Sequence, residues 1–162
     1  MNNRKLTHWR KYIANNFTLG FDGKTNWALK RQKETARLVL EAMRIKPGIL
    51  IADDVGLGKT WIGVLTAIAV ADSGGSVVIC APNKEICKKW GDEIESWWGY
   101  DHNRAHPDLK NKTPQPNLDY GIKGRDLERV MPYRILIISH HDYKTRTSPW
   151  KCNLLIVDEA HR

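Results

Sequence analysis

The sequence predicts an α/β domain in which helices flank a mainly parallel sheet. Its apolar residues are grouped into short continuous runs, as expected for strands that are buried on both faces. Segments in which apolar residues recur at helical spacing lie between these runs, and this alternation is typical of parallel sheets. The predicted strands are residues 48–52, 76–81, 134–139 and 154–158.

Three helices are predicted around these strands. The first, from residue 24 to about residue 44, is basic and amphipathic and ends at Pro47-Gly48. The second, residues 59–72, is largely apolar and is capped by Gly74-Gly75. The third starts after Pro82-Asn83, and its apolar residues recur every three or four positions, which indicates a core-facing stripe rather than a platform for stacking bases. That stripe consists of Ile86, Trp90, Ile94 and Trp97.

Two regions lack such a pattern. Residues 1–23 combine basic and aromatic side chains, and we interpret them as an N-terminal arm with a short helix and a loop. Residues 99–132 are polar and hold four of the seven prolines, so we expect a surface excursion with at most one short helix, near residues 126–130. The predicted organisation is therefore an arm followed by one partial domain, residues 24–162.

The net charge of +8 is concentrated near the N-terminus. Residues 1–47 hold eleven Lys and Arg and three acidic residues, whereas residues 48–162 hold fifteen of each kind. A basic arm and a basic first helix suit a polyanionic partner, such as a nucleic acid. A solvated helix that is rich in Lys and Arg is the alternative, because a basic face does not identify a ligand.

Length and composition limit the class of protein. A chain of 162 residues suits one domain and is too short for two of ordinary size. The longest mostly apolar run, residues 62–71, is half of the roughly 20 residues that a membrane-spanning helix needs, and the N-terminus lacks the apolar stretch of a secretory signal. We therefore expect a cytoplasmic protein. Cys80, Cys87 and Cys152 are odd in number and lack CxxC spacing, which argues against a disulfide framework and a zinc site.

A glycine-bearing loop between the first predicted strand and the second predicted helix is the most specific feature. Its sequence is Asp53-Asp54-Val55-Gly56-Leu57-Gly58-Lys59-Thr60. Gly56 and Gly58 allow backbone N–H groups to point at phosphates, and the helix adds the positive end of its dipole. We expect Lys59 to reach the β- and γ-phosphates of a nucleotide and the hydroxyl of Thr60 to hold Mg²⁺. The general Walker A pattern has glycine where this chain has Asp53.

A pair of carboxylates follows the last predicted strand, 99 residues after Lys59. A hydrophobic strand delivers Asp158 and Glu159 to the carboxyl end of the sheet. We expect Asp158 to bind Mg²⁺ through water and Glu159 to accept a proton from the attacking water. Adjacent acids at a strand end are common, so this pair is informative only together with the phosphate loop.

These motifs resemble those of superfamily 2 helicases, and within them the Swi/Snf-type and bacterial RapA-type translocases. Residues 53–60, DDVGLGKT, look like that group's first motif, and residues 158–161, DEAH, look like its second. The resemblance covers residues ~25–161 and implies a P-loop NTPase fold, the N-terminal RecA-like lobe, with ATP and Mg²⁺ as cofactors. It also implies that Gln32 reads adenine and that His161 couples the hydrolysis site to the sheet and the partner lobe. For Gln32, an exposed helical glutamine is the alternative.

The same resemblance implies a track for nucleic acid, with DNA favoured over RNA. Residues 80–83 look like the family's motif Ia, and residues 137–140 look like the following segment that also touches nucleic acid. The residues that would follow the nucleic-acid backbone are Asn83, Lys84, Ser139 and His140. Each has a plain alternative: Asn83 as a helix cap, Lys84 as a solvated charge, and Ser139 and His140 as an ordinary strand end.

Members of this family continue past the DEAH motif, whereas this sequence ends at Arg162. In the family, the next strand lies between the strands that precede the phosphate loop and the acid pair, and arginine fingers come from a second RecA-like lobe. We therefore expect a sheet that is incomplete at the C-terminus and a truncated or partial chain. Without the inserted strand, the predicted strands 48–52 and 154–158 would face a gap unless they close together.

The leading hypothesis is a helicase or translocase that couples ATP hydrolysis to movement on nucleic acid. This chain would supply the nucleotide site and half of the track, and alone it is expected to be inactive as an ATP hydrolase. The alternative is a non-catalytic nucleotide- or nucleic-acid-binding remnant, or one piece of a split motor. A P-loop kinase or a signalling GTPase is disfavoured, because DEAH occupies the acid motif and no guanine-reading NKxD sequence is present.

Overall fold

The fold was analysed in a computed structural model of the chain. The structure describes residues 27–52, 58–72, 74–97, 117–120, 134–145 and 151–159. The predicted N-terminal arm, residues 1–23, and the predicted short helix at residues 126–130 lie outside these ranges.

The described residues form four helices and four strands. In chain order these are α1 (Trp27–Ala42), α2 (Lys59–Asp72), β1 (Val77–Ala81), α3 (Lys84–Trp97), β2 (Asn117–Tyr120), β3 (Arg134–Ser139), α4 (His140–Lys144) and β4 (Leu154–Val157). The three predicted helices are confirmed as α1, α2 and α3. The predicted glycine cap of α2 is confirmed as well: Gly74 has a φ of +81°, and the N–H of Gly75 donates to the carbonyl of Val70 at 2.9 Å.

The four strands form one sheet in the order β2-β3-β1-β4, and every neighbouring pair is parallel. This confirms the predicted parallel sheet. The central strand β1 is buried along its whole length, and its register sets Val77 beside Ile135 on one side and Leu154 on the other. Because parallel strands end at the same edge of a sheet, the segments that follow β1, β3 and β4 meet there.

The main core lies between one face of the sheet and the three long helices. Residues 64–71 of α2 are all buried, which explains why this helix is apolar around its whole circumference. Ala36 and Leu40 of α1 and Trp90 and Ile94 of α3 are buried with them. The strand residues in this core are Val77, Ile79, Ala81, Ile135, Ile137 and Leu154. The predicted inward stripe of α3 is thereby confirmed for Trp90 and Ile94.

The opposite face of the sheet carries a second, smaller cluster. It consists of Val78, Cys80, Leu136 and Ile138, with Tyr143 and Cys152 packed against it. The start of β4 is joined to the start of β1, because the side-chain oxygen of Asn153 accepts a hydrogen bond from the backbone N–H of Ser76 at 2.9 Å. Among the described residues, no helix is both long enough and apolar enough to cross a membrane.

The predicted strand at residues 48–52 is wrong. Leu50 is 82% exposed and Ile49 is 38% exposed, and neither belongs to a strand. An apolar run becomes a strand only where a neighbour takes up its N–H and C=O groups, and none of the four described strands pairs with this one. Ile51 alone packs against the main core.

Strand β4 is confirmed, but it is less buried than predicted. Leu155 is 41% exposed and Val157 is 45% exposed. Within the described part of the chain, β4 pairs only with β1, so its other side has no neighbouring strand. Residues 48–52 and β4 therefore do not pair with each other, and no other described strand lies between them.

Two short elements were missed. Strand β2 lies inside the polar region that was expected to hold no strand, and it pairs with β3 at the end of the described sheet. It has four residues, of which only Leu118 and Tyr120 are apolar, so its alternation is too short to predict a strand. Helix α4 has five residues and directly follows β3, where an ordinary strand end was the stated alternative.

Candidate functional site

Helix α2 begins at Lys59, within the predicted phosphate loop. Gly58 has a φ of +78°, a left-handed conformation that favours glycine, and its carbonyl accepts from the N–H of Ile62 at 3.3 Å. Lys59 and Thr60 are half-buried in the first helical turn. The first turn of a helix presents N–H groups to a ligand, and this arrangement suits an anion. Residues 53–57 lie outside the described part of the chain.

Gln32 lies against the end of this loop. A Cβ built on Gly58 would collide with Nε2 of Gln32 and would lie 3.0 Å from its Cδ. The glutamine amide therefore fills the space that a side chain at position 58 would need. Helix α1 packs on α2, which brings Gln32 to the N-terminus of α2. The structure thus sets the residue expected to read adenine beside the residue that ends the phosphate loop.

Asp158 follows β4 and is tied to two other elements. Its backbone N–H donates to the carbonyl of Cys80 at 2.9 Å, which extends the pairing of β4 with β1 by one residue. Its carboxylate oxygen Oδ2 accepts a hydrogen bond from the indole Nε1–H of Trp90 at 2.9 Å. Trp90 belongs to α3 and is only 3% exposed. A side chain of the core helix is therefore hydrogen-bonded to the predicted Mg²⁺-binding carboxylate.

Sequence reasoning missed this role of Trp90, although it identified the residue as part of the core. A signal was available, because a buried tryptophan needs a hydrogen-bond acceptor for its indole N–H. The identity of that acceptor was not available, since 68 residues separate the two side chains.

Glu159, the predicted proton acceptor, has an unusual backbone conformation. Its φ is +54°, and it is the only residue other than glycine with a positive φ among those the structure describes. Such conformations are costly for residues that have a Cβ, and they concentrate at functional sites. The side chain is exposed, as a residue that handles solvent water needs to be. His161 lies outside the described residues.

A cavity of about 380 Å³ lies between α3 and the carboxyl end of β3. Its lining residues are Lys84, Cys87, Lys88, Asp92, Ile137, Ser139 and Asp142. Two of the four residues predicted to follow the nucleic-acid backbone, Lys84 and Ser139, therefore face one groove. The lining carries charges of both signs, from the ammonium groups of Lys84 and Lys88 and the carboxylates of Asp92 and Asp142.

Helix caps engage the polar groups of two predicted nucleic-acid residues. The side-chain oxygen of Asn83 accepts from the N–H of Ile86 at 2.9 Å, which is the capping role named as its alternative. The hydroxyl of Ser139 accepts from the N–H of Asp142 at 3.1 Å and donates to its carboxylate at 2.7 Å. His140 begins α4, and its buried Nε2 has no hydrogen-bond partner among the described residues. Contact of these residues with nucleic acid stays a prediction.

The cysteines near the groove are not nucleophiles at neutral pH. Burial raises the pKa of the Cys87 thiol, and the carboxylate of Asp142 raises it further. Burial also raises the pKa of Cys80 to about 11, with smaller effects from Cys87 and Asp142. Both thiols therefore stay protonated, and all three cysteines are free.

Comparisons with known proteins agree with the motifs. Residues 30–162 match the DEAD/DEAH box helicase family. The chain is 26% identical over 116 residues to "ATP-dependent DNA helicase RecG" of Haemophilus influenzae. It is 28% identical over 126 residues to "Protein CHROMATIN REMODELING 25" of Arabidopsis thaliana, and 27% identical over 126 residues to "DNA repair and recombination protein RAD54" of Oryza sativa. No solved structure gives a significant match.

These alignments cover 70%, 71% and 71% of this chain, but only 16%, 13% and 12% of the respective relatives. The chain thus spans a small part of each of these longer proteins. The family match is broader, because residues 30–162 make up 133 of the 162 residues, and they include residues 53–60, residues 158–159 and the whole described sheet. The expected resemblance to superfamily 2 helicases is confirmed, and the chain belongs to the DEAD/DEAH box helicase family.

Proposed function

We propose that this chain is the ATP-binding lobe of an ATP-dependent DNA helicase or translocase, in which ATP hydrolysis drives movement along nucleic acid. The observation that supports this most strongly is the contact between Gln32 and Gly58. It joins the residue expected to recognise adenine to the loop expected to hold the phosphates. Two of the relatives, an ATP-dependent DNA helicase and a DNA repair and recombination protein, support DNA as the polymer.

The residues at this site suit Mg²⁺ and ATP. Gly58 has no side chain and a φ of +78°, so its backbone can approach a phosphate closely. Lys59, Thr60 and Asp158 offer an amine, a hydroxyl and a carboxylate, the groups that a magnesium triphosphate requires. When bound, Mg²⁺ and ATP supply the phosphoryl group for transfer and a cation that neutralises the phosphate charge.

Each of these side chains has a separate task in the proposed mechanism. The ammonium of Lys59 would bind oxygens of the β- and γ-phosphates, and the hydroxyl of Thr60 and the carboxylate of Asp158 would hold Mg²⁺. Glu159 orients the attacking water and accepts its proton. The amide of Gln32 hydrogen-bonds the base and so selects adenine.

The groove between α3 and β3 is the proposed start of the DNA track. Lys84 and Lys88 supply cations for phosphate oxygens, and Ser139 lies at the opposite wall, directly before His140 in the sequence. Phosphate contacts of this kind fix the register of a protein on DNA but carry no sequence information. The groove therefore suits a motor that moves along DNA of any sequence.

A second RecA-like lobe is the proposed partner that completes the site. Arginines of such a lobe would neutralise charge on the γ-phosphate from the side opposite Glu159. Leu155 and Val157 are exposed, and residues 48–52 pair with none of the described strands, so the described part of the chain leaves room for a further strand beside β4. The alternatives are one piece of a split motor and a non-catalytic binding remnant. Both would have the same nucleotide-binding residues, so they differ from the proposed lobe only in the conditions under which ATP is hydrolysed. A cytoplasmic location stays a prediction.

Phosphate release from the purified chain tests this proposal. The chain alone should bind ATP yet release phosphate at a negligible rate with or without DNA, because an arginine finger contributes roughly 10³- to 10⁵-fold in rate. Addition of the second lobe, on the same polypeptide or as a separate chain, should restore DNA-stimulated release. Glu159→Gln should then abolish release while ATP binding persists.

Two results would contradict the proposal. The first is rapid phosphate release by the chain alone that Glu159→Gln removes, since the chain would then need no second lobe. The second is failure of the completed protein to hydrolyse ATP under any DNA condition, which would favour a binding remnant.

A further inference from the structure

Trp90 connects three parts of the candidate site. Its indole N–H donates to Oδ2 of Asp158 at 2.9 Å, and its six-membered ring lies against Gly63 of α2. The side chain is 3% exposed, so its indole N–H needs an acceptor within the protein, and Asp158 supplies it. One tryptophan therefore spans the space between the helix that follows the phosphate loop and the strand that carries the acid pair.

The contact with α2 is close and depends on glycine. A Cβ built on Gly63 would collide with the edge of the indole ring and would lie 3.0 Å from its Cζ3. Gly63 is three residues after Thr60, and side chains three apart lie on the same face of a helix. The ring thus rests one helical turn away from the hydroxyl that is expected to hold Mg²⁺.

The hydrogen bond to Asp158 has the strength to orient a carboxylate. A hydrogen bond to an ionised acceptor is roughly twice as strong as one between neutral groups, and the buried setting strengthens it further. Trp90 donates to Oδ2, and this hydrogen bond restricts rotation of the Asp158 carboxylate about the Cβ–Cγ bond. Residues that hydrogen-bond a metal-binding carboxylate in this way set its direction toward the metal.

We propose that Trp90 is a positioning residue that holds the carboxylate of Asp158 in the direction needed for Mg²⁺. The proposal rests on the proposed function, because it assumes that Asp158 serves Mg²⁺ and ATP. It adds the role of α3, which also lines the groove through Lys84, Cys87 and Lys88. Nothing in the motifs at residues 53–60 or 158–161 contains this tryptophan.

Binding of a non-hydrolysable ATP analogue across a series of Mg²⁺ concentrations tests this role. Trp90→Phe keeps an aromatic ring but removes the N–H donor. Loss of such a partner should raise the half-saturating Mg²⁺ concentration by about 10- to 100-fold. Affinity for the analogue in EDTA should stay unchanged. The matched control is Ile94→Val, one turn further along the same buried stripe, which should lower the melting temperature without changing the Mg²⁺ dependence.

A second measurement uses the wild-type chain and does not depend on the folding of Trp90→Phe. The seven tryptophans give seven indole N–H signals in a ¹⁵N-labelled sample. Asp158→Asn should shift the Trp90 signal most and so identify it. Addition of Mg²⁺ to the wild-type chain that already holds the analogue should then move the same signal.

The outcomes separate the two claims. A Trp90→Phe chain that is less stable but keeps the wild-type Mg²⁺ dependence, as the Ile94→Val control does, would overturn the positioning role alone. An indole signal that responds to Asp158→Asn but not to Mg²⁺ would also overturn it. A wild-type chain that fails to bind the analogue at any Mg²⁺ concentration would overturn the proposed function, and the positioning role with it.

Discussion

The side-chain amide of Gln32 occupies the space beside the α-carbon of Gly58, so that no side chain fits at position 58. Gln32 lies in α1, and Gly58, 26 positions later in the sequence, directly precedes α2. Their contact means that the base-reading and phosphate-binding parts of the proposed site form one surface. Disturbing either residue should therefore alter the binding of a nucleotide.

Gln32→Met should reduce the preference for ATP over GTP. The substitution keeps roughly the size of the side chain but removes the amide oxygen that accepts from the 6-amino group of adenine, a group that guanine lacks, so a hydrogen bond to adenine is lost. Loss of one such bond costs about 1 kcal/mol, or roughly fivefold in relative affinity. Competition of ATP and GTP for a fluorescent nucleotide measures the preference. An unchanged ratio of the affinities for ATP and GTP would indicate that Gln32 is an ordinary helical glutamine that does not read adenine.

Gly63→Ala should destabilise the protein, although alanine favours helix by about 1 kcal/mol over glycine. The new methyl group would meet the ring of Trp90, which is buried and cannot move aside, and overpacking costs about 1–3 kcal/mol. Gly48→Ala is the matched control, since a Cβ there has nothing within 4 Å. Urea denaturation should give a lower midpoint for Gly63→Ala only. A midpoint for Gly63→Ala at or above the wild-type value would contradict the described contact with Trp90.

The N-terminal arm should contribute to DNA affinity through charge. Arg4, Lys5, Arg10 and Lys11 lie in residues 1–23, and each phosphate contact changes the slope of log affinity against log salt by about 0.9. Deletion of residues 1–23 should therefore flatten the slope by up to roughly 3.6 for duplex DNA. A full-length chain with these four residues changed to Gln should show the same loss. An unchanged slope in both variants would indicate that the basic residues of the arm contribute to solubility and do not contact DNA.

Stability should fall in alkaline solution because of the buried thiols. Burial raises the pKa of Cys80 to about 11, above the ordinary value of 9.0, so the folded state holds its proton more tightly than the unfolded state. The stabilisation is complete below pH ~9 and declines as the pH rises toward ~11. Urea denaturation at pH 7, 9 and 10.5 measures this. Cys80→Ala should show a smaller decline over the same interval, and an equal decline would contradict the assignment to Cys80.

Much of the fold follows from residue patterns. The apolar stripe of α3, the apolar sequence of α2 and the glycine cap at Gly74 each depend on neighbours a few residues away. Such local patterns fix the elements and their order, and parallel pairing follows from their alternation. The phosphate loop and the acid pair were identified for the same reason, since each is a continuous segment.

The missed features depend on distant partners. The apolar residues 49–51 predict a strand, but pairing decides whether a strand forms, and no described strand pairs with them. Strand β2 is too short to show an alternation of apolar and polar residues. It forms because its backbone pairs with β3. The bond between Trp90 and Asp158 joins residues of α3 and the end of β4, and no local rule connects them. Fold class was therefore predictable, whereas the contacts that tune the site were not.

The most direct test of the central claim is thermal melting of the chain and of Lys59→Ala, with and without ATP and Mg²⁺. At a ligand concentration ~100 times the dissociation constant, binding adds about 2.7 kcal/mol to the free energy of unfolding. For a protein of this size that corresponds to a rise of roughly 5–10 °C in Tm. The account predicts this rise for the wild type and for the exposed control Lys46→Ala, and none for Lys59→Ala. Equal melting curves with and without saturating ATP and Mg²⁺ in the wild type, or an equal rise in Lys59→Ala, would contradict it.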